Sequence, residues 1–294
     1  MAVKLLYHAS EPNKITKHTV SVLNMKKTFL LLTTLTVWAT FVSAAEIKVK
    51  SPDGKAIIVV TDTGGLNYSV LFDGRKVANP SRFGIIADGV DLGADVKLGK
   101  TSSRKISERY SMFGGHSQAE NNCRETTVSV RSANGESYEL DVRAYNDGVA
   151  LRSRLPAKAG RKINGEATEW KLTGNPLAWF QTDFGSYEGL FQSSRLDDFS
   201  SGRKIPLPIT FTLPGGGYAL VAEANLLNYS DLGVQVSADH SLQAYFHANQ
   251  TGWTTDDAVV QPWRVTLLAR DLNTLVNSDL IRNLCPAAPQ ELAN

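Results

Sequence analysis

The stretch Leu140 to Leu155, LDVRAYNDGVALRSRL, decides the fold class. Leu140, Val142 and Ala144 alternate with Asp141, Arg143 and Tyr145, which is the period of two expected of a half-buried strand. Asn146-Asp147-Gly148 follows, and these residue types tolerate the positive φ angles of a tight hairpin turn. Val149, Leu151, Ser153 and Leu155 then resume the alternation against Ala150, Arg152 and Arg154. The reading is an antiparallel hairpin near the middle of the chain.

The same rhythm extends outward in both directions. Upstream, Ile47–Val49 and Ala56–Thr61 read as strands around the turn Ser51-Pro52-Asp53-Gly54. Strands near Leu66–Phe72 and Arg75–Val77 flank Asp73-Gly74, and Ile85-Ile86 and Val90–Leu98 flank Asp88-Gly89. Glu125–Arg131 and Ser137–Tyr145 flank Asn134-Gly135, a strong hairpin signal. Downstream, strands are expected at Glu169–Leu172, Ile209–Leu213, Tyr218–Glu223, Gly233–Val236, Leu242–His247 and Trp263–Ala269. Turn signals recur at roughly 8 to 12 residues, the spacing of a sandwich or barrel. Helical periodicity is confined to Asp271–Leu284, where Asp271 is placed to cap a short helix holding Leu272, Leu275 and Val276. The expected fold is therefore all-β, one large sandwich with one short C-terminal helix. Glu46 to Asn294 is about the size that all-β domains reach as one unit, roughly 200 to 250 residues, and the sandwich is expected over residues 46–286.

Composition excludes several classes. The 294 residues are 42% hydrophobic and 20% charged with a net charge of +2, and no Lys/Arg block is dense enough to track phosphates. Nucleic acid is not an expected partner. Met25 to Ala45, MKKTFLLLTTLTVWATFVSAA, has two lysines, an apolar run from Phe29 to Val42 and then small residues, the layout of a secretory signal peptide. The expected location is the periplasm or the exterior, with no membrane attachment after cleavage. Residues 1–24 read as an extension in front of the true start at Met25. Cys123 and Cys285 are the two cysteines, able to pair in an oxidising compartment or to remain free buried thiols.

The richest aromatic and polar segment is Pro176 to Gln192, PLAWFQTDFGSYEGLFQ. Trp179, Phe180, Phe184, Tyr187 and Phe191 interleave there with Asp183 and Glu188. Aromatic faces beside acids suit sugars, whose rings present apolar C–H faces and a rim of hydroxyls; the other reading packs these rings between the two sheets. Glu188, among Gly185, Ser186 and Gly189, offers a carboxylate suited to a hard cation. Glu166 with Glu169, Asp197-Asp198 and Asp256-Asp257 are the other acids, and nothing in the sequence sets two of them at the separation glycoside hydrolysis requires. No Gly-x-Ser-x-Gly elbow follows a strand, and Leu213-Pro214-Gly215-Gly216-Gly217 lacks the Lys-Ser/Thr of a phosphate loop.

The order of landmarks resembles the N-terminal β-sandwich domain of glycoside hydrolase family 97, the secreted α-glucosidases and α-galactosidases. The landmarks are SPDGK at Ser51–Lys55, LNYSVLFDGRKV at Leu66–Val77, GGHSQAENNC at Gly114–Cys123 and the DVRAYNDGVALR hairpin. The AWF and SYEGL segments follow, then LPGGGYALVAEANLLNYSDL at Leu213–Leu232 and PWRVTLLARDLNTLVNSDLIRNLCP at Pro262–Pro286. The resemblance implies a super-sandwich of the galactose-mutarotase-like type, followed in the family by a (β/α)8 barrel that holds the general acid and the base or nucleophile. It also implies a calcium ion at the domain junction, with one glutamate reaching it from the sandwich; Glu188 is the candidate for that ligand. Trp179 and Tyr187 are the candidate substrate contacts. A barrel needs roughly 250 residues beyond Pro286, so residues 287–294 read as the start of a linker, and no catalytic residue is expected within this sequence.

Three readings follow from this. In the first, the chain is the carbohydrate-binding part of a family 97 α-glycosidase. In the second it is an exported carbohydrate-binding module working alone. In the third it is a mutarotase-like enzyme using His116, His240 or His247 with a glutamate.

Overall fold

The computed structural model describes residues 45–112 and 116–287. The leader and signal-peptide readings up to residue 44, Phe113–Gly115 and the linker beyond Ala287 lie outside the described residues. The described residues are all-β, as expected, and form four antiparallel sheets with two short C-terminal helices.

The large sheet is built around the hairpin of Ser137–Tyr145 and Gly148–Leu155. On one side of it lie Gln118–Ser132 and then Val96–Ser111 at the edge. On the other side come Trp263–Ala269, Tyr218–Ala224, Ile209–Thr212, Leu177–Phe180 and the edge strand Gln192–Arg195. Three four-stranded sheets oppose it. They comprise Glu46–Lys50 through Arg75–Arg82; Ile85–Ala87 with Val90–Asp91, Arg161–Glu166 and Trp253–Thr255; and Leu232–Val236 with Lys204–Pro206, Leu242–Phe246 and Glu169–Trp170. One continuous apolar cluster draws on all four sheets, from Val49 and Ile85 through Leu140, Val142 and Phe211 to Val234. That shared core makes the fold a sandwich.

The hairpin departs from a half-buried strand in one respect. Asp141, Tyr145 and Ala150, on the face away from the main core, are buried too. A second cluster covers that face, formed by Cys123, Tyr145, Ala150, Trp263, Val265 and Leu267 with Leu280 and Leu284 of the C-terminal segment. The polar residues of this face are paired across strands. Asp141 accepts from Arg152 Nε at 3.1 Å and Arg154 Nε at 2.8 Å, and Glu125 accepts from Arg104 and Arg143, each at 2.6 Å. The guanidinium groups of Arg143 and Arg152 lie over the Trp263 ring at 4.8 and 4.3 Å. Alternation with charged residues therefore marked a second packed layer here, not solvent.

Turn chemistry also differs in detail. Asp73-Gly74 and Asp88-Gly89 adopt positive φ at both residues, as Asp-Gly hairpin turns require. At the central hairpin only Gly148 does so, and its need for glycine is steric. A Cβ there would stand 2.6 Å from Leu280 Cδ1 and 2.7 Å from Thr266 O. The Asp271 cap forms as expected: its carboxylate accepts from Thr274 N at 2.8 Å at the head of Leu272–Val276, and a second short helix, Leu280–Asn283, follows. The expected strand Val90–Leu98 is instead the short Val90–Asp91 and the start of the 16-residue Val96–Ser111. Cys123 and Cys285 are both free, Cys123 buried and Cys285 exposed, so the pairing and the buried thiol at Cys285 do not hold.

Candidate functional site

The segment between Leu177–Phe180 and Gln192–Arg195 is an eleven-residue connection folded on its own polar groups. Gln181 Oε1 accepts from Asp183 N at 2.7 Å, and Asp183 accepts from Gly185 N at 2.7 Å, from Ser186 N and from the Ser186 hydroxyl. Those hydrogen bonds, the Ser186 hydroxyl first, hold the Asp183 carboxyl below its ordinary range. Ser186 Oγ in turn accepts from Glu188 N at 3.2 Å. Asp and Ser in such self-bonded turns stabilise a loop that has little core of its own.

One side chain ties this loop to the sandwich. Phe184 stacks on His247 at 4.5 Å between centroids and meets Tyr245 edge-on at 6.1 Å. It packs so closely on Gly233 that a Cβ there would stand 2.6 Å from the ring. With Phe184 docked, the loop from Gly185 to Phe191 is left outside the core. Tyr187 is 48% exposed, Leu190 89% and Phe191 65%, and Glu188 is exposed. Tyr187 holds φ at +58°, a left-handed conformation that costs a bulky residue free energy and recurs at ligand-contacting positions.

The surroundings of Tyr187 are acidic. Its phenol is pushed up, first by partial burial and then by the charges of Asp231 and Glu223. Glu223 lies where the Tyr218–Ala224 strand enters the strap Asn225–Asp231. Burial raises its carboxyl, against the opposing pull of Arg264. Arg264 is fully buried, donates to Glu223 at 2.7 Å, and holds Glu166 through Nε at 3.0 Å and a second N–H. The triad anchors the strap from below, and Glu223 Oε1 closes it by accepting from Leu232 N at 3.1 Å.

The sequence candidates thus divide. Trp179 is half exposed on its strand, its Nε1–H donating to Thr212 Oγ1 at 3.2 Å. Tyr187 and Glu188 stand together on the loop. Of the segment's other aromatics, Phe180 is buried in the core, so the inter-sheet reading applies to it; Phe184 is half-buried on Gly233 and Tyr245, on the face of their strands opposite the core residues Leu232, Val234 and Phe246. Among the described residues the Glu188 carboxylate has no hydrogen-bond or ion-pair partner, and no three His, Cys, Asp or Glu side chains converge for a metal. The histidines serve separate elements: His116 pairs with Asp279 at 2.8 Å, His240 occupies a turn at φ +57°, and His247 underlies Phe184. Of the acids, Glu169 accepts from Arg82 N and meets Lys171, Asp197 and Asp198 form an exposed turn, and Asp256 accepts from Gly160 N at 2.7 Å. The residues missed in the sequence are Arg264, Glu223 and Asp231. An arginine inside the run Trp263–Ala269, apolar apart from it and Thr266, was the available signal.

Residues 49–286 match the family model described as glycosyl-hydrolase 97 N-terminal. A probable retaining alpha-galactosidase of Streptomyces bingchenggensis is 31% identical over 233 residues, covering 77% of this chain and 35% of that protein. A retaining alpha-galactosidase of Bacteroides thetaiotaomicron is 25% identical over 239 residues, covering 76% and 35%. The chain therefore spans about a third of the length of these relatives. Among solved structures, a glycoside hydrolase family 97 enzyme from Pseudoalteromonas sp. strain K8 superposes with a TM-score of 0.77 at 23% identity, over 84% of this chain and 39% of that one. That enzyme has been solved with panose and with acarbose. A beta-arabinopyranosidase superposes with a TM-score of 0.68 at 22% identity, over 76% of this chain and 40% of that one. Across nearly all of its described residues, the chain belongs to the glycosyl-hydrolase 97 N-terminal family.

Proposed function

We propose that this chain is the carbohydrate-contacting sandwich of an exported α-glycosidase acting on α-glucosides or α-galactosides. In this reading Trp179 and Tyr187 contact the sugar, and a (β/α)8 barrel outside this sequence supplies the general acid and the base or nucleophile. The observation that carries it is the family match over residues 49–286 combined with the loop that sets Tyr187 and Glu188 outside the core. Aromatic rings exposed on a strand and a strained loop offer C–H stacking to a pyranose. The signal-like segment Met25–Ala45 supports a periplasmic or secreted location.

Glu188 fits one position in a calcium site. Calcium takes six to eight oxygen ligands, and an exposed carboxylate with no partner among the described residues can serve as one of them. The described residues do not complete that set, so Glu188 would join ligands from the barrel. Calcium bound there would supply a Lewis acid at the scissile oxygen. What this chain contributes is position: the Asp183 turn and the Phe184 anchor fix where the Glu188 backbone stands.

The test uses the full chain. Calorimetry is expected to give calcium binding weaker than micromolar, and p-nitrophenyl α-galactoside and α-glucoside are expected to remain uncleaved. Melibiose or maltose should bind weakly, with Tyr187→Ala reducing the affinity. A micromolar calcium site, or turnover at enzymatic rates, would overturn the division of labour. Tight sugar binding with neither would favour the stand-alone binding module.

A further inference from the structure

Beyond the Tyr187 loop, the strap Asn225–Asp231 borders a separate cleft of about 520 Å³, within the range of small-ligand sites. Asn228 and Tyr229 line its strap side; Asn249, Trp253, Thr255 and Asp257 line the other. We propose that this cleft is a second carbohydrate site, which takes one neutral hexopyranose unit of an α-linked oligosaccharide against Trp253. The proposal rests on the glycosidase reading for the class of ligand and on the cleft itself for the place.

Three features point to a sugar. First, the aromatic wall is held rigid before any ligand arrives. Trp253 packs edge-to-face on Tyr229 at 4.9 Å and tilted on Phe246 at 5.9 Å, and Tyr229 meets Phe246 edge-on at 5.7 Å. A half-buried indole fixed in this way loses little conformational freedom on stacking. Second, most of the side-chain polar groups around it have no partner among the described residues; Thr255 Oγ1, which accepts from Asp257 N at 3.1 Å, is the exception. The Trp253 indole N–H, the side-chain amides of Asn228 and Asn249 and the Asp257 carboxylate make no hydrogen bond among the described residues, although most loop polar groups nearby do. These are two amides, one carboxylate and one N–H donor, a set that answers vicinal hydroxyls by both donating and accepting. Third, no lysine or arginine lines the cleft, which disfavours a phosphate or carboxylate ligand.

The backbone is committed to this arrangement. Trp253 is paired with Ile163 across antiparallel strands. Gly252 at φ +77° brings its chain so close that a Cβ would overlap Ile163 O. Asn228 is held at φ +52°, a left-handed conformation at the cleft's rim. The strap joins the two places: Asp231 at its end raises the Tyr187 phenol, while Asn228 and Tyr229 face the cleft.

The experiment is a fluorescence titration of the full chain with maltotriose and with melibiose. Of the five tryptophans, Trp38 lies in the signal-like segment and is replaced by Phe in every protein used, and Trp170 and Trp263 are fully buried, so a sugar-induced change reports Trp179 or Trp253. The expected result is a saturable change that persists in Trp179→Phe and disappears in Trp253→Phe. Asn249→Ala with Asp257→Ala should weaken it at least tenfold. These two side chains are exposed, and an unchanged thermal melt shows that the fold is kept. Loss of the response in Trp179→Phe, with full binding in the Asn249/Asp257 variant, would overturn the second site and leave the glycosidase reading standing. No response to either sugar up to tens of millimolar would also overturn it, while calcium binding and turnover test the wider reading independently.

Discussion

Removing the Arg264 guanidinium should be among the most damaging single changes in the sandwich. Arg264 lies on Trp263–Ala269, where every residue is buried, and neither its side chain nor that of Glu166 has exposed surface. The intact pair adds little net stability, because desolvating two charges offsets most of their attraction. Breaking it is different: in Arg264→Met a buried Glu166 carboxylate loses both its N–H donors, and Glu223 loses its 2.7 Å partner. An orphaned buried charge costs about 3–5 kcal/mol. In a domain of this size each kcal/mol moves the melting temperature by about 2–4 °C, so the expected drop is about 6–20 °C at pH 7, read by calorimetry or circular dichroism. Arg264→Met combined with Glu166→Leu removes both buried charges and should recover at least half of that loss, since Glu223 retains partial exposure and its bond from Leu232 N. A single variant melting within about 2 °C of the parent would refute the argument. So would a double variant no more stable than the single.

Acid should destabilise the outer face of the large sheet. Burial alone would raise the Asp141 carboxyl, but hydrogen bonds from Arg154 and Thr127 and the charges of Arg154 and Arg152 outweigh it and hold it below its ordinary value. Glu125 is likewise depressed: burial opposes, and Arg104 and Arg143 prevail. A depressed carboxylate contributes stability above its unfolded pKa, about 3.9 for Asp and 4.3 for Glu, and that contribution is lost as pH falls through the folded value. The urea midpoint should therefore change little between pH 7 and 5 from these groups and fall below about pH 4, with a shallower fall in Asp141→Asn; an equally steep fall in that variant would contradict the assignment. Gly233→Ala should undock the Tyr187 loop by forcing Phe184 off its seat. Limited chymotrypsin digestion is expected to cut at Tyr187, Leu190 or Phe191 several-fold faster, with the cooperative melt largely kept; unchanged cleavage would show that Phe184 does not anchor the loop.

Much of the fold was legible because period-two alternation and turn residues act locally. Ala56–Thr61, Ser137–Tyr145 and Trp263–Ala269 fall where their patterns put them, and Asp271 caps its helix. The long ribbon was not legible. In Val96–Ser111 only Val96 and Ile106 are buried, so that edge strand has no apolar rhythm to read and is held by backbone pairing to Gln118–Ser132. The candidate loop was half legible: its aromatics and acids stood out, but not which of them would be anchors.

By itself the sequence determined the all-β class, the central hairpin and the family, because alternation, turn chemistry and motif order are properties of neighbouring residues. Tertiary structure alone decided that Asp141 and Arg152 lie in a second packed layer, and that Arg264 grips Glu166, 98 positions away. It alone separated the anchor Phe184 from the exposed Tyr187 three residues on, and gathered Asn228, Trp253 and Asp257 around one cleft. Burial and charge pairing are set by which strands meet across the sandwich, and no local pattern encodes those meetings.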